Sequence, residues 1–173
     1  MINTKQVDMG YEINGVLAFL TNNDIGILQT YIEKIKDGQC YVEIGTNYGG
    51  SAILATQCTD KPVYSVDIEN KVPNNVSEKF IFINKPSVDA AKEFNKKIGL
   101  LFIDGNHFDA KKDFDAWEDK VSNGGYVLFH DYSKHDEWTV IKDCDEIMNN
   151  KNYKIIFKPT PEDRTSILVL QKI

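Results

Sequence analysis

Four short apolar runs in this chain each stop at a residue type that does chemistry, and that recurrence restricts the fold more than any other feature. Residues 40–44 run into Gly45, 63–66 into Asp67, 100–103 into Asp104, and 126–129 into His130-Asp131. Apolar residues at consecutive positions mark strands buried on both faces. Segments with helical spacing lie between them. Residues 24–36 place Ile25, Leu28, Ile32 and Ile35 on one face and close at Gly38. Residues 52–59 read as a second helix. Ser87 reads as the N-cap of a third, running to Lys97. Ala110, Phe114, Trp117 and Val121 form the apolar stripe of a fourth. Residues 137–149 give a fifth, with Ile141, Cys144 and Met148 inward.

A further strand is expected over 79–83, and Asn123-Gly124-Gly125 reads as a turn. Strands at 153–157 and 166–170 have no helix between them, so one of them should run antiparallel. The expected fold is α/β: a doubly wound, mostly parallel sheet in three layers, closed by an antiparallel hairpin. Ligands of such sheets bind beyond the carboxyl ends of the strands, where the strand order reverses. That is where the glycine loop and the acids fall.

The 173 residues suit one domain, so 1–173 is read as a single unit. Residues 15–20 are apolar enough to pack over a site, and 1–20 are expected to act as a lid. A net charge of −6 argues against a nucleic-acid partner, because phosphate contacts need a basic footprint. Residues 1–10 lack the features of a signal peptide, and no apolar run approaches the ~20 residues of a membrane helix. Cys40, Cys58 and Cys144 form no CxxC pair, as expected of reduced thiols in a cytoplasmic protein.

The segment Glu43-Ile-Gly45-Thr-Asn-Tyr48-Gly49-Gly50-Ser51 follows a strand and opens a helix. Glycine lets the backbone turn sharply and approach a ligand, and a helix N-terminus offers free N–H groups. The Gly-x-x-x-Gly spacing is not the dinucleotide fingerprint, and no Gly-Lys-Ser/Thr follows to make a P-loop. Asp67 lies 22 residues after Gly45, at the next strand end, where an acid can accept from ribose hydroxyls.

Val42 to Ser51 with Asp67 resembles motifs I and II of class I S-adenosylmethionine-dependent methyltransferases. Asp104-Gly-Asn-His107, Asp113, Trp117, Gly124-Gly125 and His130-Asp131-Tyr132 resemble the small-molecule, macrolide-sugar O-methyltransferase branch. The resemblance implies a Rossmann-like methyltransferase fold. It implies that Gly45, Tyr48 and Gly49 line the methionine part of S-adenosylmethionine. Glu43 would hold its amino group, directly or through water, and Ser51 would sit near its carboxylate. Asp67 would bind the ribose, Ile68 would pack on the adenine, Ser87 would touch the adenine edge, and Asp104 would also face the cofactor.

Asp104 and Asp131 should end neighbouring strands. Two carboxylates there repel unless something positive lies between them, and a divalent cation suits oxygen ligands. The resemblance makes Asp104, His130 and Asp131 the metal ligands. His130 departs from the catechol O-methyltransferase pattern, and imidazole favours Mn²⁺, Fe²⁺ or Zn²⁺ over Mg²⁺. In the sugar-modifying relatives the histidine of Asp-x-x-His is the proposed general base, which here is His107, beside Asp104. An imidazole with a pKa of about 6.5 can take a hydroxyl proton near neutral pH.

The leading expectation is an O-methyltransferase acting on a small hydroxylated acceptor, such as a sugar or glycosylated metabolite. S-adenosylmethionine would be its cofactor, with Mg²⁺ or Mn²⁺ assisting. Alternatives are a non-catalytic nucleoside-binding module and a metal-dependent oxygenation-linked relative. Neither nucleic acid nor membrane is expected as a partner, and the chain could associate with itself. Tyr11, Tyr132 and Trp138 could form an aromatic acceptor wall or simply pack, and His135 is expected in a solvated polar loop.

Overall fold

The computed structural model describes residues 2–74, 76–133 and 138–173. Its main sheet has seven strands. In chain order they are β4 (Gln39–Ile44), β5 (Val63–Asp67), β6 (Phe80–Asn84), β7 (Lys97–Ile103), β8 (Val121–Phe129), β9 (Tyr153–Phe157) and β10 (Leu168–Lys172). Their spatial order is β6-β5-β4-β7-β8-β10-β9. The first five pair in parallel, and β10 runs antiparallel to both β8 and β9. Helices α1 (Asn22–Ile32), α2 (Gly50–Cys58), α3 (Ser87–Glu93), α4 (Ala110–Trp117) and α5 (Val140–Ile147) cover the sheet. This is the expected doubly wound, Rossmann-like architecture with a closing hairpin. Among the described residues no helix is long and apolar enough to cross a membrane.

Side chains alternate across the sheet. Cys40, Val42 and Ile44 of β4 enter one core with Phe114, Trp117 and Phe129. Tyr41 enters the other, with Leu28, Leu54 and Phe102. All three cysteines are free thiols, and burial pushes Cys40 up to about 12. Thr21 and Asp24 form a capping box that starts α1, each side chain satisfying the other's backbone N–H.

The N-terminal residues are ordered as a sheet of their own: β1 (Thr4–Val7), β2 (Gly10–Ile13) and β3 (Val16–Ala18), all antiparallel. Ile13, Ala18 and Leu20 are buried against α1 and α2. Several expected element bounds need correcting. α3 ends at Glu93 rather than Lys97, because Phe94 is extended and its ring turns inward, 5.0 Å from Tyr64 and 5.1 Å from Trp117. Val121 is not on the α4 stripe: a 3-10 turn (Glu118–Lys120) tightens the helix end, and Val121 begins β8. Asn123-Gly124-Gly125 is a bulge within β8 rather than a turn between elements. Ile98 pairs with Val121 while Leu100 pairs with Tyr126, so β8 accommodates extra residues at Gly124, where φ is +78°. The expected fifth helix begins at Val140, and His135 and Glu137 lie outside the described residues.

Candidate active site

The strand order reverses between β4 and β7, and Gly45 sits at that point. Its φ is +89°, and a Cβ there would collide with the carbonyl of Asp104 at the end of β7. Only glycine lets the two strand ends come this close. The loop then folds back onto β5. Asp67 Oδ2 accepts from the backbone N–H of Thr46 (2.9 Å) and Asn47 (3.0 Å), and Oδ1 accepts from Glu69 N (3.1 Å). Gly49, with φ +89°, caps α2 and lies under Val72.

Beyond these strand ends opens a cavity of about 930 Å³, inside the ~300–1,000 Å³ range of cofactor sites. Gly45, Tyr48, Ser51, Asp67, Ile68 and Ser87 line one part of it, and Asp104, His107, His130 and Asp131 another. Ile68 is 75% exposed and so has apolar surface left to cover. Ser87 accepts from Trp117 Nε1 at 2.9 Å, and Pro86, not Ser87, is the N-cap of α3.

Glu43 and Gly49 are not on the cavity wall. Glu43 is fully buried beneath it, accepting from Tyr41 Oη at 2.9 Å and from Ser65 Oγ. Burial pushes its carboxyl up to about 7, against the hydrogen bonds from Ser65, Ser51 and Tyr41. Direct contact with a ligand's amino group is therefore not built into this arrangement. Glu43 also underpins the loop: Ser65 pairs in turn with Thr46 Oγ1 at 2.6 Å, and Ser51 lies in the first turn of α2.

At the ends of β7 and β8 two carboxylates and two imidazoles interlock. His107 Nε2 lies 2.7 Å from Asp131 Oδ2, and the His107 ring stacks on Trp138 at 4.0 Å and 8°. His130 Nδ1 lies 3.0 Å from Asp104 Oδ1 and 3.3 Å from Asp131 Oδ2. Its Nε2 faces Asp24 Oδ2 at 3.6 Å. Burial disfavours the imidazolium, but the hydrogen bond to Asp104 and the carboxylates of Asp131 and Asp24 close by outweigh it and raise His130 well above the usual range. Burial likewise pushes Asp131 and Asp24 up, and the cationic His130 beside them brings both below the ordinary carboxylate range. Asp131 adopts φ +55°, which turns its carboxylate back toward both histidines.

Asp104, His130 and Asp131 each present a ligand atom, all within 4.8 Å of one another. Two oxygens and one nitrogen at that spacing fit a divalent cation of the Mn²⁺ type, which would take the place of the proton on His130 and bind the neutral imidazole. Asp24 stands behind His130, where the outer partner of a ligating imidazole is normally found. Sequence reading missed Asp24, which is 1% exposed and also accepts from Thr165 and Thr21. Its one local signal was the capping box. Residues 17–20 also line the cavity. Tyr132 packs instead, its hydroxyl donating to Asp145 at 2.9 Å under Lys158, whereas Trp138 lines the cavity.

No curated protein sequence matches the chain. Solved structures do. An O-methyltransferase from Bacillus cereus in complex with S-adenosylhomocysteine superposes with a TM-score of 0.71 at 11% identity, over 89% of this chain and 82% of that one. An rRNA methylase from Streptococcus thermophilus gives 0.68 at 14%, over 86% and 96%. The MycE methyltransferase of mycinamycin biosynthesis, solved with Mg and S-adenosylhomocysteine, gives 0.62 at 16%, over 90% of this chain and 51% of that one. These likenesses establish the fold. The family model described as "Methyltransferase domain" matches residues 42–132, from β4 through the Asp131 loop and over more than half of the chain. This protein therefore belongs to the methyltransferase domain family, on the fold of class I S-adenosylmethionine-dependent enzymes.

Proposed function

We propose that this protein transfers a methyl group from S-adenosylmethionine to a hydroxyl oxygen of a small molecule, with His107 as general base. The observation that carries this reading is that the Asp67-anchored glycine loop and the His107–Asp131 pair line the same cavity. Asp67 sits where it can take the ribose hydroxyls, with Ile68 beside the adenine and Ser51 near the carboxylate. Tyr48 and Gly45 bound the methionine arm. When bound, S-adenosylmethionine supplies an electrophilic methyl group, whose carbon–sulfur bond breaks as the new carbon–oxygen bond forms.

His107 receives the hydroxyl proton. Asp131 occupies Nε2, which fixes the ring's orientation and leaves Nδ1 for that proton, and Trp138 holds the ring plane. Asp104, His130 and Asp131 would hold a divalent cation, which supplies Lewis-acid polarisation of the acceptor oxygen. The net charge of −6 and the carboxylates around the site favour a small-molecule acceptor over nucleic acid.

Isothermal titration with S-adenosylhomocysteine, with and without Mn²⁺ or Mg²⁺, tests the reading. Saturable binding lost in Asp67→Ala supports it. An absence of binding under every condition removes it.

A further inference from the structure

A capping box ordinarily takes Glu or Gln at its third helical position. Here that residue is Asp24, and more converges on its carboxylate than a cap requires. Oδ2 accepts from the backbone N–H of Thr21 at 2.8 Å and lies 2.7 Å from the Thr21 hydroxyl. Oδ1 accepts from the Thr165 hydroxyl and from Ser166 N at 3.3 Å, which lie 141 and 142 residues further along the chain. His130 Nε2 then faces Oδ2 at 3.6 Å.

The two nitrogens of His130 look in different directions. Nδ1 is directed at Asp104 Oδ1 (3.0 Å) and Asp131 Oδ2 (3.3 Å), the other members of the candidate cation site. Nε2 is buried and, among the described residues, makes no hydrogen bond; the carboxylate it faces is that of Asp24. We propose that Asp24 is a positioning residue: it takes the Nε2 hydrogen of His130 and so holds Nδ1 forward as the ligating nitrogen. The proposal rests on the cation site of the reading above and adds to it the residue that orients its one nitrogen ligand.

A neutral imidazole carries one hydrogen, so a cation on Nδ1 leaves that hydrogen on Nε2. Buried N–H groups need an acceptor. The χ2 torsion of histidine is broad, so a ring with nothing behind it drifts off its ligand geometry at little cost. Asp24 can act as a stop because it is itself immobilised. Thr21 ties it to the start of α1, and Thr165 and Ser166 tie it to the segment before β10. Ser166 O in turn accepts from Tyr132 N at 2.8 Å, next in sequence to Asp131. The cation site is thereby braced from behind by both ends of the fold. Asp24 lines a smaller cavity of about 400 Å³ and not the cofactor cavity, so its substitution should leave S-adenosylhomocysteine affinity unchanged.

Mn²⁺ titration followed by electron paramagnetic resonance, on the whole chain with and without S-adenosylhomocysteine, tests the proposal. Asp24→Ala should weaken Mn²⁺ by about 10–100-fold. Asp24→Asn keeps a neutral acceptor in place, should lose less, and serves where the alanine variant fails to fold. Thr21→Ala removes the other side chain of the capping box and should lower Tm at unchanged Mn²⁺ affinity. A role in capping alone would make Thr21→Ala and Asp24→Ala alike in both readouts. The chain has three histidines, so isotope-labelled histidine in the Zn²⁺-loaded protein, assigned with His130→Gln, reads the ring directly by NMR. The hydrogen should sit on Nε2 and exchange faster in Asp24→Ala. Unchanged Mn²⁺ affinity in the folded Asp24 variants, an equal loss in Thr21→Ala, a hydrogen on Nδ1, or no Mn²⁺ binding by wild-type protein that binds S-adenosylhomocysteine overturns the proposal. Failure of S-adenosylhomocysteine to bind strikes the methyl-transfer reading instead, and Mn²⁺ binding without it still decides the role of Asp24.

Discussion

His107 Nε2 and Asp131 Oδ2 stand 2.7 Å apart, on loops that follow two neighbouring parallel strands. The pair exists because β7 and β8 end level, with Ile103 opposite Phe129. It commits one nitrogen of the ring and leaves the other for chemistry.

Replacing His107 by Ala should therefore lower kcat by about 10²–10⁴-fold with S-adenosylhomocysteine affinity unchanged. Asp131→Asn keeps a residue that tolerates positive φ and should cost less, through a misoriented ring. Transfer of a labelled methyl group measures both. An unchanged kcat in His107→Ala would rule it out as the base.

Asp67 has two duties, accepting two loop N–H groups with one oxygen and facing the cavity. A hydrogen bond to a charged group contributes about 1.5–3 kcal/mol, so losing even one ribose contact in Asp67→Ala should weaken S-adenosylhomocysteine by at least about 10–100-fold. Asp67→Asn retains an acceptor and should lose less. Calorimetric titration of the two variants decides it.

Glu43 gives a pH signature. Its carboxyl rises from 4.5 to about 7 in the fold, so the fold favours the protonated form. The stability tied to that proton is fully present below the unfolded pKa and is lost as pH rises through the folded one. Glu43→Gln cannot ionise. It should match wild type below about pH 4.5, exceed it increasingly up to about pH 7 and level off above that, at about 3 kcal/mol. Urea unfolding of the cofactor-free protein across that range would show the divergence. Parallel curves would mean that the buried carboxyl is not the source.

Gly45→Ala places a methyl group against the Asp104 carbonyl at a φ that alanine resists. A loss of about 2 kcal/mol or more is expected, with cofactor binding falling alongside. Thermal melting with and without S-adenosylhomocysteine checks both effects. A variant as stable as wild type would show that the strand ends can separate.

Strand ends were legible in the sequence because a buried parallel strand is an unbroken apolar run and its chemistry follows at once. Gly45, Asp67, Asp104 and Asp131 were all found this way, and the structure gathers them on one cavity. What failed was either short or long in range. The N-terminal strands have only three or four residues, too few for alternation to show. Their signal was Asn14-Gly15, a hairpin dipeptide with φ of +52° and +82°. Asp24 was invisible as a site residue, because its contact with His130 spans most of the chain and leaves no mark on local spacing. Glu43, expected at a ligand's amino group directly or through water, has no exposed surface for the direct contact. Strand alternation instead sends its side chain inward, on the same face as Tyr41.

The contact between Gly50 and Ala18 governs how this protein can vary. The β3 backbone rests on α2 with no space for even a methyl group, so the inner edge of the N-terminal sheet is a fixed hinge pin. At the outer edge, in the turn between β1 and β2, Met9 is 68% exposed and its side chain can change in character. Substitutions at that tip should leave the β3–α2 contact as it is.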